Sequence, residues 1–224
     1  SAPIEYPDLK VNPRFKVLQS LDCEGLGKKE QWRTAIPPLS NCSSGLSPAD
    51  YFGRTMVDNL PDSVSIGVIN VAVGGCDIRL FDKVWYKDHL TTYNESWFTD
   101  KVKAYGGNPY QHLLKLALKA QESGVIKGIL LHQGETNTGN EEWPKYVDRV
   151  YKALLNDLSL NASMVPILAG EVVHEDQNGK CASMNEIIAK LPDQIKTAHI
   201  ISSSGKPAPH DGIHFSTEGY RILG

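Results

Sequence analysis

The 224-residue chain has 41% hydrophobic and 22% charged residues, which is an ordinary balance for a globular protein. Its net charge of −3 and the lack of a basic cluster argue against a nucleic-acid partner. No apolar run approaches the roughly 20 residues of a membrane span, so we expect no membrane partner. Since an alternating α/β chain of this length is more often one domain than two, we predict a single domain over residues 1–224.

The four cysteines, Cys23, Cys42, Cys76 and Cys181, are widely spaced and form no C-x-x-C pair, which argues against a structural zinc site. Cys23 and Cys42 are compatible with a disulfide in an oxidising compartment and equally with buried free thiols. Ser1 is not a natural start, and a removed leader would agree with a secreted or periplasmic location.

Apolar segments of strand length alternate with segments of helical periodicity. The strands are predicted at residues 14–19, 65–73, 126–131, 165–170 and 198–202. The helices are predicted at residues 47–59, 108–124, 142–158 and 182–191 and from Ser216 onward. Residues 20–46 are interpreted as a long loop, and residues 77–107 as an irregular excursion over one end of the sheet.

This alternation predicts an α/β fold with a parallel sheet and helices on both faces. In open parallel sheets, ligands bind at the carboxyl ends of the strands. Polar or glycine-rich sequence follows three of the predicted strands: Gly74-Gly75, His132–Glu135, and the loop that leads to Asp211 and His214. We therefore expect these segments to meet at one edge of the sheet.

His214 with an acidic partner is half of a nucleophilic hydrolase site. Such a histidine takes a proton from a serine and later returns it to the leaving group, while a carboxylate on its other ring nitrogen orients it. Asp211 lies three residues earlier and can reach that nitrogen in a tight turn. Glu135, at the end of a predicted strand, is the alternative acid.

Gly75 and Gln133 are candidate donors to a substrate oxyanion. A glycine lets a backbone N–H approach the oxyanion closely, because no side chain intervenes. The Gln133 amide can direct an N–H to the same point. The alternatives are structural: Gly74-Gly75 is then only a turn after a strand, and Gln133 or His132 only satisfies loop backbone.

The runs INVAVGG (residues 69–75), LLHQGE (residues 130–135) and DGIHFSTEGYRILG (residues 211–224) resemble carbohydrate esterase family six, the acetylxylan esterases. That family is close to the sialate O-acetylesterase-like domain of the SGNH-hydrolase superfamily. The resemblance spans nearly the whole chain. It implies a flavodoxin-like three-layer sandwich and deacetylation of an acetylated polysaccharide or oligosaccharide, such as xylan, through an acyl-serine, with no cofactor.

The same resemblance implies His214 as base, Asp211 or Glu135 as its acid, and the Gly75 N–H and Gln133 as oxyanion donors. The family's Gly-Gln-Ser-Asn-Met-like nucleophile motif does not occur in this sequence. We therefore expect a nucleophilic serine upstream of Ser1, and a domain that lacks its first strand and the end of its last helix. Three serines inside the chain, Ser20, Ser203 and Ser204, are weaker candidates because none has the glycine setting of a nucleophile elbow.

Two other functions compete with this interpretation. His210, Asp211 and His214, with His132 or Glu135, could ligate zinc for metal-assisted hydrolysis, although the H-x-x-x-H precedes a helix rather than lying on one. The aromatic residues at 81–105 could instead stack on sugars in a non-catalytic binding or remnant domain.

Overall fold

The computed structural model describes residues 2–209 and 211–224. These residues form two compact units, Ser1–Ala72 with Gly205–Gly224 and Val73–Ser204. In the described part of the chain, no helix has the length and apolar character needed to cross a membrane. The prediction of one domain over residues 1–224 stays a prediction.

The structure contains strands and helices in alternation. The strands are β1 (Phe15–Leu18), β2 (Trp32–Thr34), β3 (Ile66–Ile69), β4 (Ile129–His132), β5 (Ile167–Gly170) and β6 (Ala198–Ile201). The α-helices are α1 (Pro48–Asp58), α2 (Tyr86–Thr92), α3 (Ser96–Ala104), α4 (Pro109–Gln121), α5 (Trp143–Asp157), α6 (Met184–Ile188), α7 (Leu191–Gln194) and α8 (Thr217–Leu223). Short 3-10 helices include Tyr6–Leu9, Ile78–Phe81 and Glu135–Asn137.

In the first unit, strands β2, β1 and β3 form a sheet in that order, with β1 parallel to β3 and antiparallel to β2. Helix α1 lies against this sheet at Gly53, where an added Cβ would lie 2.0 Å from the buried Phe15 ring. Glycine in a helix interior costs stability, and here it permits the close approach of helix and strand.

In the second unit, strands β4, β5 and β6 form a wholly parallel sheet in that order. Its core gathers residues from this sheet and from the inner faces of α5 and α6, including Trp143, Val147, Ile167, Met184 and Ile188. The face of α5 recurs at the 3.6-residue period that the sequence predicts. Parallel strands joined by helices confirm the predicted α/β class.

Two segments predicted to be irregular contain regular structure. Residues 20–46 include β2, whose Trp32 ring lies 2.7 Å from the position of a Cβ on Gly67. Residues 77–107 contain one 3-10 helix and the helices α2 and α3. The buried residues Phe98, Val102 and Tyr105 recur at helical spacing, a pattern hidden among the exposed aromatic and charged residues of this segment.

The predicted strand at residues 65–73 is shorter in the structure and less buried. Strand β3 ends at Ile69, well before the glycine pair that begins at Gly74, and only Val68 within it is buried. Strand β4 likewise has no fully buried residue. Both segments are therefore less buried than their apolar composition indicates.

Cys23 and Cys42 form a disulfide, which decides between the two alternatives for this pair. Cys76 and Cys181 are free thiols.

Asp50 is a buried carboxylate in the first turn of α1. Its Oδ2 accepts hydrogen bonds from the backbone N–H and the hydroxyl of Ser47, both at 2.8 Å. Its Oδ1 is buried and has no hydrogen-bond partner in the described residues. Burial outweighs the bonds from Ser47 and raises the pKa of Asp50 to about 6.

We expect Asp50→Asn to remove a pH-dependent loss of stability. Because the folded-state pKa lies above the unfolded value, the folded protein binds the extra proton between about pH 4 and 6, and stability falls as pH rises through that window. The loss is about 3 kcal/mol. Urea unfolding at pH 4 and pH 7 should show the difference in unfolding free energy between wild type and variant changing by most of this amount. A constant gap would contradict the assignment.

Candidate functional site

His214 and Asp211 form a hydrogen-bonded pair in the first unit. The His214 Nδ1 lies 2.8 Å from Asp211 Oδ2. The other oxygen, Oδ1, accepts from the backbone N–H groups of Ile213 at 2.9 Å and His214 at 3.0 Å. The carboxylate therefore both closes the turn and orients the imidazole. The other ring nitrogen, Nε2, is left for proton transfer.

Local sequence explains why this pair forms. Gly212 has a φ of 64°, a left-handed conformation that glycine adopts without a steric cost. Phe215 is buried and anchors the chain directly after the turn. Ser216 then caps α8 by accepting the Gly219 N–H at 3.0 Å. The predicted start of the last helix at Ser216 is confirmed.

The hydrogen bonds keep Asp211 ionised. Those from the backbone N–H groups of His214 and Ile213, followed by that from the His214 ring, hold the pKa of Asp211 well below its usual range. A permanently charged acceptor at Nδ1 fixes the tautomer of His214 and stabilises its protonated form. The pair thus has the electrostatics that a general base requires.

A cavity of about 440 Å³ adjoins the pair. Its lining includes Asp211, His214 and Phe215 together with Ala2 and Pro3 near the start of the chain. The side chains of His214 and Asp211 therefore line this cavity and are partly exposed to solvent.

In the second unit, Gly75 lies in a tight turn. The N–H of Cys76 donates to the carbonyl of Val73 at 3.3 Å, and Gly75 has a φ of 80°. This is the third position of a four-residue turn, where a positive φ selects glycine. Gly74-Gly75 therefore forms a turn, and this turn is compatible with a backbone N–H that serves an oxyanion.

The Gln133 amide is fixed against this turn. Its Nε2 donates to the Cys76 carbonyl at 3.0 Å and to Asn137 Oδ1 at 2.8 Å, and its Oε1 accepts from Trp143 Nε1 at 2.6 Å. The side chain predicted to serve the oxyanion therefore lies beside Gly75, and both amide hydrogens are donated within the protein. A bond to substrate would be shared with one of these.

Two buried residues that the sequence analysis missed complete this cluster. Asn137 accepts the Ile78 N–H at 3.0 Å and donates to Asp77 Oδ2 at 2.8 Å. Asp77 also accepts three hydrogen bonds from Arg79. Burial alone would raise the pKa of Asp77, but the bonds from Arg79 outweigh it and hold that pKa below the usual value.

Glu135, the alternative acid, begins the 3-10 helix after β4. Gly134 lies directly before it, and an added Cβ there would lie 3.1 Å from Met184 Cγ and 3.2 Å from Val172 Cγ1. Asp211 already holds the Nδ1 position of His214, and this contact favours Asp211 over Glu135 as the candidate acid.

The candidate nucleophiles inside the chain are poorly placed. Ser20 and Ser203 are fully buried, and the Ser203 hydroxyl donates to the Val172 carbonyl at 2.7 Å. The Ser204 hydroxyl donates to Asp176 at 2.7 Å. Burial, with the neighbouring carboxylates, raises the pKa of the Cys76 thiol to about 12, so this cysteine is protonated at neutral pH.

For the alternative of a metal site, the described residues contain no group of three or more histidine, cysteine, aspartate or glutamate side chains that could hold an ion. His210, one of the proposed ligands, lies outside the described residues.

A histidine oriented by an ionised aspartate, on an α/β fold, is typical of hydrolases. Residues 15–224 match the family model described as SASA, carbohydrate esterase, sialic acid-specific acetylesterase, and the chain belongs to this family. The match confirms that the protein is a carbohydrate esterase, and the finer assignment to carbohydrate esterase family six stays a prediction.

Two solved structures are similar in fold. A protein from Arabidopsis thaliana has a TM-score of 0.72 and 21% sequence identity over 98% of this chain and 81% of that chain. A novel carbohydrate acetylesterase from Xanthomonas citri has a TM-score of 0.61 and 16% identity over 97% of this chain and 48% of its own. This chain therefore spans about half the length of the Xanthomonas protein, and the likeness supports the predicted SGNH-hydrolase-type fold.

We expect Asp211→Asn to lower kcat by on the order of 10⁴. The amide oxygen can still accept the two backbone N–H groups of the turn, but the amide nitrogen then faces His214 Nδ1 and imposes the wrong tautomer. Steady-state hydrolysis of an aryl acetate by the full-length protein measures this loss, and His214→Ala should abolish turnover.

Glu135→Gln is the matched control, since it also neutralises one carboxylate. We expect its kcat to stay within a few-fold of wild type. If Glu135→Gln fell as far as Asp211→Asn, or if neither variant changed, the assignment of Asp211 as the acid would be wrong.

Proposed function

We propose that this protein is a serine-type carbohydrate O-acetylesterase that acts on acetylated xylan-like polysaccharide. The observation that carries the proposal is the His214–Asp211 pair, oriented by three hydrogen bonds and adjoining an open cavity, in a chain of a carbohydrate esterase family. A histidine with only a structural role would not require an ionised carboxylate to orient one of its ring nitrogens.

The first half of the proposed reaction forms an acyl-serine. The serine hydroxyl attacks the acetyl carbonyl carbon, and its proton passes to His214 Nε2. The carbonyl oxygen becomes an oxyanion that accepts the Gly75 N–H. The C–O bond to the sugar then breaks, and His214 returns its proton to the sugar oxygen, which leaves as a free hydroxyl.

The second half releases acetate. Water gives a proton to His214 and attacks the acyl-serine, and the serine oxygen leaves and takes that proton back. Asp211 stabilises the imidazolium in both halves, because its charge persists throughout the cycle. None of Ser20, Ser203 and Ser204 is assigned as the nucleophile, since each hydroxyl is buried or already bonded.

A secreted or periplasmic location is part of the proposal. The Cys23–Cys42 disulfide supports it, because such bonds persist in oxidising compartments and are rare where thiols are kept reduced.

Trp97 supports a sugar substrate at the glycine turn. Trp97 is 47% exposed, and its Cη2 lies 3.2 Å from the position of a Cβ on Gly75. The Lys101 ammonium lies 4.7 Å from the centroid of the same ring and 3.6 Å from the position of a Cβ on Gly74. An exposed aromatic ring beside a cation offers both an apolar surface and a hydrogen-bond donor to a sugar.

A fluorophosphonate probe tests the serine mechanism. We expect the probe to block deacetylation of acetylated xylan and to label one serine, which peptide mapping of the full-length protein identifies. Activity that resists the probe and is lost with a chelator would favour the metal-assisted alternative. Binding of xylan without any acetate release would favour the sugar-binding alternative, and release from O-acetylated sialosides alone would replace xylan as the substrate.

We expect Trp97→Ala to raise KM for acetylated xylo-oligosaccharides by about 3- to 10-fold, the equivalent of one aromatic contact, without changing the rate on a small aryl acetate. Trp85→Ala is the matched control, because Trp85 is also an exposed tryptophan with a cation over its ring, Arg149, but it does not lie against Gly75. Equal effects of the two substitutions, or a loss on the aryl acetate, would remove Trp97 from the proposed sugar site.

A further inference from the structure

The polar cluster at Asn137 links two segments of the second unit that are far apart in sequence. Asn137 bonds to the Ile78 N–H and Asp77 on one side and to Gln133 on the other. It is 2% exposed, so each of these bonds is made away from water. A buried amide with three partners costs little, whereas an unpaired one is expensive.

The outer members of this cluster leave the two amides only one orientation. The Trp143 and Ile78 N–H groups can only donate, while the Cys76 carbonyl and the ionised Asp77 can only accept. The Gln133 oxygen must therefore face Trp143, and its nitrogen must face Cys76 and Asn137. If either amide were flipped, a donor would face a donor or an acceptor would face an acceptor.

The consequence falls on the turn that carries Gly75. The turn is closed by its own Cys76 N–H bond to Val73, and the chain directly after it is tied at the Cys76 carbonyl by Gln133 and at the Ile78 N–H by Asn137. The Cys76 N–H bond fixes the peptide plane between Gly75 and Cys76, which directly follows the plane that carries the Gly75 N–H, and the two side-chain bonds fix the chain after it. Oxyanion donors must hold their positions before the charge develops, because reorientation during the reaction costs rate.

We propose that Asn137, with Trp143, is a positioning residue that fixes the Gly75 turn and the Gln133 amide for oxyanion stabilisation. This role rests on the proposed acetylesterase function. Neither residue contacts the reacting atoms in this role: each acts through Gln133 or through the backbone at residues 76–78. The expected signature is a loss in kcat at an unchanged KM, since the ground-state substrate needs the oxyanion donors less than the transition state does.

Asn185 provides a matched control in the same unit. It is another buried asparagine, and it also bonds a distant backbone segment, by accepting the Val172 N–H at 2.9 Å and donating to the Val172 carbonyl at 3.1 Å. Asn185→Ala therefore removes a comparable set of buried bonds without touching the Gly75 turn. A purely structural role for Asn137 predicts the same kinetic result from both substitutions.

The experiment compares wild type, Asn137→Ala, Asn185→Ala and Trp143→Phe in the full-length protein. Hydrolysis of an aryl acetate is measured at a temperature where each variant is folded by thermal melting. We expect kcat to fall roughly 10- to 100-fold for Asn137→Ala and Trp143→Phe, with KM within about 3-fold, and to remain near wild type for Asn185→Ala. Trp143→Phe keeps an aromatic ring in the core, so it serves if Asn137→Ala does not fold.

Hydrogen exchange at the Cys76 and Ile78 amides gives a second readout that does not depend on activity. We expect faster exchange there in Asn137→Ala but not in Asn185→Ala. Wild-type kcat in Asn137→Ala and Trp143→Phe, or an equal loss in Asn185→Ala, would overturn the positioning role. An inactive wild type would overturn the proposed function and this role with it, whereas an active wild type with unaffected variants overturns this role alone.

Discussion

The need to satisfy buried polar groups holds the loops of the second unit in place. Two segments outside the strands, residues 76–78 and Val172, have no regular backbone ladder, and side chains supply the missing partners. Gln133 and Asn137 bind the chain at residues 76–78, and Asn185 and Ser203 both bind Val172. Each bond crosses a long sequence separation, so the loops are fixed only once the unit has folded. Rigid loops at strand ends are what a site for developing charge requires.

The first unit secures its functional segment by charge. Asp8 is fully buried and accepts two hydrogen bonds from Arg221 of α8 and one from Tyr51 of α1. Burial would raise the pKa of Asp8, yet the bonds from Arg221 lead the effects that hold it below the usual value. Removal of either Asp8 or Arg221 would leave a charge without its partner. This penalty is larger than the stabilisation that the intact pair provides. Helix α8 begins three residues after His214, so this pairing also anchors the segment that carries the candidate base.

The His214–Asp211 pair and the Gly75 turn are held in different ways, because the proposed reaction gives them different tasks. His214 must move a proton, and its ring is half exposed beside a cavity. Its orientation comes from Asp211 within the same turn. In the proposed reaction the Gly75 turn must stay rigid. It is held by a buried network in which each donor and each acceptor has a fixed role.

The sequence by itself determined the features that depend on neighbours in the chain. Ser47 and Ser216 mark the starts of α1 and α8, and the period of α5 marks its buried face. The spacing of Asp211 and His214 allows the two side chains to meet, but the sequence left Glu135 as an alternative partner, and only the structure shows the Asp211–His214 contact. Tertiary structure alone decided the rest. Strand β2 exists through its pairing with β1, and helix α3 is marked by a buried face that its exposed residues conceal. The role of Asn137 depends on Asp77, 60 residues away, and local pattern cannot reveal a partner at that distance because hydrogen bonds between distant segments form only when folding brings them together.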